Sequence, residues 1–215
     1  MSKIAKHPSM IRGLYAVTPD TNDDPKLHDL VEATLRGGTR LVQYRNKQAD
    51  RNTRERQSGM LVALCEAYDA RLIVNDDVSV AAATGAHGVH VGRDDSGPIR
   101  ARAVLGEDAI IGVSCYNEPA RATEAAADGA DYIAFGSFFA SSVKPEAVRA
   151  TPTLIGPAKR DTGLPVVGIG GIDLRNAEVL IAAGIDAVAV ISALWNAPDI
   201  ERMSRDFCAL FVRKS

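Results

Sequence analysis

The sequence predicts an α/β fold, a single (β/α)8 barrel with parallel strands. Three observations carry this. Short β-branched runs alternate with longer Ala/Leu-rich segments, eight of each, and strict alternation of strands with helices implies parallel βαβ units. The strand runs are almost continuously apolar, as expected when both faces of a sheet are covered. A chain of 215 residues is the size of a compact barrel of eight such units. A doubly wound open sheet uses the same units, but eight of them in this length fit closure better. The expected organisation is one barrel domain over 1–215, with 1–12 as an N-terminal extension.

The strand candidates are GLYAVT (13–18), RLVQYR (40–45), RLIVND (71–76), GVHVG (88–92), AIIGVS (109–114), DYIAFG (131–136), PVVGIGG (165–171) and AVAVIS (187–192). The helix candidates between them are 25–38, 52–70, 79–86, 96–106, 117–130, 151–163, 173–184 and 197–214. The first has Pro25 at its start and Gly37–Gly38 after its end, the usual polarity of a helix. Several others also end in Gly, which supplies a left-handed C-terminal cap. The longest irregular stretch, 137–150, follows the sixth strand and reads as a lid or binding loop.

The totals exclude several classes. The formal charge is −2, which gives no general attraction to nucleic acid or an anionic membrane. No apolar run approaches the roughly 18 residues of a membrane span. The N-terminus is positively charged but has no apolar core behind it, unlike a secretory signal. Cys65, Cys115 and Cys208 are odd in number and far apart, which points to a reducing cytoplasm and not to a disulfide framework. No Cys/His spacing suggests structural zinc. The sequence is compatible with a homo-oligomer and does not set the number of subunits.

In such barrels the chemistry sits at the C-terminal ends of the strands. The second strand ends in Gln43, Arg45 and Lys47, every second residue, so the three point to one side. The third ends in Asn75–Asp76 followed by Asp77, and the fourth in His90, Gly92, Arg93, Asp94 and Asp95. The fifth ends in Ser114 and Cys115. The sixth runs into GSFFASSVKPE, with Ser141 and Lys144. Singly, NDD and RDD read as helix caps. Two such pairs at adjacent strand ends, facing cations, read as a site where Asp76 and Asp95 share a Mg²⁺, a hard ion that takes a few carboxylates plus substrate phosphates. Arg45, Lys47 and Lys144 would face the phosphate oxygens. GIGGI (168–172) and the following VIS, with Ile191 and Ser192, fall where these barrels bind a second phosphate through backbone N–H groups. GIGG is not a GxGxxG dinucleotide fingerprint. Two anion sites on one face suit an enzyme that joins a diphosphate to a monophosphate. His90 reads as a structural residue, Cys115 as packing and Trp195 as packing against the last helix. Phe138 and Phe139 either line the pocket or close over it.

QYRNK, ND, HVGRDD, GVS, the Lys144 loop, GIGGI and VIS stand in the order and spacing of the thiamine-phosphate synthase family, which the chain resembles from LYAVT to the last strand. The resemblance implies a (β/α)8 barrel that joins hydroxymethylpyrimidine diphosphate to hydroxyethylthiazole phosphate with Mg²⁺ assistance. Asp76 and Asp95 resemble its metal ligands. Gln43, Arg45, Lys47 and Asn75 resemble the groups around the pyrimidine and its diphosphate, and Ser114 resembles a residue near both. Lys144 resembles the pyrophosphate-binding lysine. Ser141, Gly171, Ile191 and Ser192 resemble the thiazole-phosphate contacts. Arg45, Lys47, Ser114 and Lys144 are the expected catalytic set, in a dissociative reaction that needs no protein nucleophile.

Three departures stand out. Val143 occupies a position where a Thr is common, and Asn46 one where Glu is common. Asn46 alternates away from the pocket. Arg93 replaces a frequent Gln and adds a cation at the mouth. Two alternatives share the fold: a thiazole tautomerase-like paralogue, which has His at the strand-5 position, and a non-catalytic barrel that binds phosphate ligands. Ser114 with Asp76, Asp95 and Lys144 favours the transferase.

Overall fold

The computed structural model describes residues 10–93, 95–140 and 148–212. Eight strands close into one parallel barrel in sequence order: β1 (Gly13–Val17), β2 (Leu41–Tyr44), β3 (Arg71–Asn75), β4 (Gly88–Val91), β5 (Ile110–Tyr116), β6 (Tyr132–Gly136), β7 (Val166–Ile169) and β8 (Ala187–Val190). Closure is direct: Leu14 of β1 pairs with Val188 of β8. The helices are α1 (Asp24–Arg36), α2 (Arg51–Ala67), α3 (Val78–Thr84), α4 (Pro98–Leu105), α5 (Pro119–Ala127), α6 (Ile155–Thr162), α7 (Leu174–Ala182), α8 (Ser192–Trp195) and α9 (Ile200–Val212). A 3-10 turn, Pro152–Leu154, leads into α6.

Strict alternation of eight and eight therefore needs one correction: β8 is followed by two helices, the one-turn α8 and then α9. The extra turn has a clear role. Trp195, at its end, donates its indole N–H to the Val17 carbonyl at 2.6 Å, and its ring packs against the core outside the barrel. α8 thereby ties the end of β8 to the end of β1.

Period-2 alternation builds two cores. Inward residues Tyr15, Val17, Leu41, Ile73, Ile110, Tyr132, Ala134, Val167, Ala187 and Ala189 fill the barrel. Their outward neighbours, among them Ala16, Val74, Val89, Ile111, Ile133 and Val188, meet the helices. Apolar side chains fill the lower interior, while Gln43, Asn75, His90 and Ser114 continue the same inward parity toward the C-terminal ends. Hence the polar residues that the sequence gathers at strand ends share one face.

The lower rim is tied by side chains that replace ladder partners. Asp131 Oδ2 accepts from Ile111 N at 2.8 Å and from Arg102 Nη2 at 2.6 Å, with both side chains largely buried. Asp186 repeats the device, accepting from Val166 N and Lys159 Nζ. Among the described residues no helix is long and apolar enough to cross a membrane, and all three cysteines are free thiols.

Candidate active site

β2 ends at Tyr44, one residue short of the expected run, so Arg45 and Lys47 lie beyond the ladder. Their alternation survives because side chains take over from strand pairing. Thr18 Oγ1 accepts from Arg45 N at 2.9 Å and donates to Arg45 O at 3.0 Å. Asp20 then accepts Lys47 N at 2.9 Å and holds Arg45 Nη1 with both carboxylate oxygens at 3.1 Å. Gln43, Arg45 and Lys47 consequently face one cavity. Asn46 points the other way, to Thr21 O and Gln57 Oε1.

At the end of β3 the NDD motif divides its labour. Asp77 caps α3, accepting from Ser79 N and Val80 N. Asp76 takes a left-handed backbone (φ 64°) and turns into the cavity, where Lys47 Nζ stands 3.4 Å from its Oδ2. Asp95 enters beside it, with Oδ2 accepting the Gly92 N–H at 2.7 Å. Burial holds the Asp95 carboxyl above its ordinary range; the Gly92 N–H opposes this, and the adjacent Asp76 carboxyl adds to it. Among the described residues no third His, Cys, Asp or Glu completes a protein metal cluster. The donor set is two carboxylates, all oxygen, which fits a Mg²⁺ whose other positions go to water and substrate phosphate.

The floor is a chain of polar side chains. Gln43 Nε2 donates to Tyr15 OH at 3.0 Å, and Tyr15 OH meets Tyr132 OH at 2.8 Å. Tyr132 OH meets His90 Nδ1 at 3.0 Å, and His90 Nε2 meets Ser114 Oγ at 2.8 Å. Burial pushes the His90 imidazole down to about 4, against a smaller opposing pull from Asp95. The same burial raises the Tyr15 and Tyr132 phenols. Ser114, which shows no histidine in its own motif, thus has one at hydrogen-bond distance from the neighbouring strand. β5 bulges just beyond it, with Tyr116 at φ 55°. Arg121 fixes this corner by donating to Ser114 O at 2.7 Å and Gly92 O at 2.9 Å. Cys115 points away into the outer core, where burial pushes its thiol up to about 12. Arg93, expected as a cation at the mouth, lies over the Tyr116 ring and pairs with Glu118.

The opposite wall is built from Gly170 and Gly171, both at positive φ (103° and 61°). A Cβ on Gly171 would overlap the Ala140 carbonyl, so glycine is required there. Asn176 Nδ2 pins the Gly171 carbonyl at 2.9 Å. Ile191 and Ser192 adjoin this wall, and Val167, Ile169 and Ala189 give it an apolar lining. The whole cavity measures about 730 Å³, within the range of small-molecule sites.

Of the residues singled out in the sequence, Gln43, Arg45, Lys47, Asn75, Asp76, Asp95, Ser114, Gly171, Ile191 and Ser192 line this cavity. Ser141 and Lys144, with Val143 and Asp94, lie outside the described residues. Phe138 is buried in the outer core and Phe139 packs against it, so neither lines the cavity. Sequence reasoning missed Tyr15, Tyr132, Asp20, Tyr116 and Arg121. The tyrosines sit at inward strand positions, where an aromatic reads as core; Asp20 lies in a loop and gives no signal of its own.

The chain matches the thiamine monophosphate synthase family over residues 14–194. It is 53% identical over 201 residues to the thiamine-phosphate synthase of Methylobacillus flagellatus, covering 94% of this chain and 96% of that one. It is 52% identical over 202 residues to that of Azoarcus sp., covering 94% and 98%. Among solved structures, a thiamine phosphate pyrophosphorylase from Pyrococcus furiosus superposes with a TM-score of 0.83 at 30% identity, covering 95% of this chain and 97% of that one. A 3-hexulose-6-phosphate synthase at 15% identity and a TM-score of 0.67 shares the fold alone. With its motifs, barrel and cavity all in agreement, the chain belongs to the thiamine monophosphate synthase family.

Proposed function

We propose that the chain is a thiamine-phosphate synthase, joining hydroxymethylpyrimidine diphosphate to hydroxyethylthiazole phosphate and releasing pyrophosphate and thiamine phosphate. The observation that carries this reading is one cavity with two unlike ends, each of which suits an anion. One end has paired carboxylates beside Lys47 and Arg45; the other has a glycine wall beside Ser192. Family membership supports it.

In this reading the pyrimidine lies over the Gln43–Ser114 floor, with Asn75 at its edge and its diphosphate toward Asp76 and Asp95. Asp76 and Asp95 would hold Mg²⁺, which supplies neutralisation of phosphate charge when bound. The methylene C–O bond breaks and its electron pair leaves with pyrophosphate. Arg45 and Lys47 stabilise that charge from the positions Asp20 and Asp76 give them, and Lys144 would add a third cation. The thiazole nitrogen then donates its pair to the methylene carbon to form the C–N bond. Backbone N–H groups of the glycine wall and the Ser192 hydroxyl orient the thiazole phosphate, with Ser141 on the same phosphate. The apolar wall keeps water from the cation. No protein nucleophile takes part.

The test is a coupling assay with both substrates and Mg²⁺, with EDTA and Asp76→Ala controls. Thiamine phosphate that disappears in both controls supports the synthase and its metal site together. Bound pyrimidine diphosphate without product would replace this reading with a binding barrel.

A further inference from the structure

The His90–Ser114 contact resembles the start of a nucleophilic dyad, in which a histidine takes a serine proton. The chain behind it decides otherwise. Each phenol has one hydrogen to give, and Tyr15 and Tyr132 are both fully buried. Gln43 Nε2 donates to the Tyr15 oxygen, so the hydrogen of Tyr15 goes to Tyr132 and that of Tyr132 goes to His90 Nδ1. An imidazole that accepts at Nδ1 and stays neutral carries its hydrogen on Nε2. That hydrogen goes to Ser114 Oγ, and the serine hydrogen is left for the cavity. With the Gln43 amide nitrogen toward Tyr15, the opposite polarity would have Tyr15 accept from both neighbours, leaving its own buried hydrogen without an acceptor among the described residues. Such a donor costs about 1–3 kcal/mol.

Packing holds the relay in place. The His90 and Tyr132 rings stack at 5.5 Å. Tyr132 fills the space above Gly112, where a Cβ would overlap its ring.

We propose that Tyr132, backed by Tyr15, is a positioning residue that holds His90 as the Nε2–H tautomer. Ser114 then presents a hydrogen-bond donor to substrate and is not a nucleophile. The group that faces Ser114 must therefore bring an acceptor, such as a ring nitrogen or a phosphate oxygen, while Gln43 Oε1 is left to accept. The proposal rests on the synthase reading for its kinetic consequence and on the unliganded protein for its tautomer.

The test is ¹⁵N NMR of the histidine rings in the unliganded protein, with His90 assigned by difference from His90→Gln. The expected spectrum shows Nδ1 bare and Nε2 protonated. Tyr132→Phe should remove that preference and lower kcat by about tenfold, the worth of one hydrogen bond, with KM for the thiazole phosphate unchanged. If Tyr132→Phe does not fold, Tyr15→Phe breaks the same relay one link away. An Nδ1–H tautomer in the wild type, or a His90 signal indifferent to the variants, overturns the proposal. The spectrum needs no turnover: a wild type that makes no thiamine phosphate defeats the synthase reading, while the tautomer is still decided.

Discussion

Replacing Lys47 should separate function from folding. Its ammonium lies 3.4 Å from Asp76 Oδ2, with the side chains 53% and 35% exposed. An ion pair so wet contributes at most about 0.5 kcal/mol to stability, and Lys47→Ala deletes little packing. In the proposed reaction the same cation stabilises the departing pyrophosphate. Removing one preorganised charge of this kind costs on the order of 10²–10³ in kcat, or about 3–4 kcal/mol. Arg45→Ala should be less clean. Arg45 is only 17% exposed, and both Asp20 oxygens hold it, so about 1–2 kcal/mol of stability should go with a similar loss of turnover. The measurements are the denaturant midpoint at constant slope and kcat in the coupling assay. If Lys47→Ala loses stability and turnover in equal free-energy terms, the cluster is structural and the assignment fails.

Three further outcomes are expected. Gly171→Ala meets both a positive φ of 61° and the Ala140 carbonyl; it should raise KM for the thiazole phosphate more than about tenfold while leaving that for the pyrimidine diphosphate nearly unchanged, and a reversed pattern would misplace the two ends. Asp131→Ala removes the carboxylate paired with Arg102, which keeps its bonds to the Glu107 and Gly129 carbonyls, and takes the acceptor from the buried Ile111 N–H; it should cost about 2–3 kcal/mol by denaturant titration without altering KM, and a loss below about 1 kcal/mol would contradict the buried pair. Acid should destabilise the fold through its buried histidines. His90 falls from 6.5 to about 4 on folding, and burial also lowers His87, so the unfolded chain binds more protons between these values. The stability from neutral His90 is therefore complete above about pH 6.5, lost as pH falls, and exhausted near pH 4, with a total of about 3 kcal/mol. A wild type whose unfolding free energy between about pH 7 and about pH 4.5 falls no faster than that of His90→Gln would refute this.

Much of the barrel was legible because its signals are local. Period-2 apolar runs, helix-ending glycines and Pro25 are properties of neighbours in sequence, and each strand appears within a few residues of its expected place. The misses have a shared cause. Arg45 and Lys47 lie beyond β2, and what aims them is Thr18 and Asp20 from another loop. The extra helix α8 exists because an indole reaches back to Val17. NDD looked like either a cap or a metal site and proved to hold one residue for each side of the wall, since Asp77 caps α3 while Asp76 turns inward.

By itself the sequence determined the fold class, the gathering of polar side chains at one end of the barrel, and ten of the residues that line the cavity there. Strand periodicity sets parity, and parity sets which side chains point inward. Only the tertiary structure decided what those side chains do to one another. The relay from Gln43 through Tyr15, Tyr132 and His90 to Ser114 crosses five residues from five strands. Its polarity depends on burial and on distances near 3 Å between groups as far as 117 positions apart in sequence. Hydrogen-bond direction is a property of closed networks, and a network of this kind closes only when the barrel does.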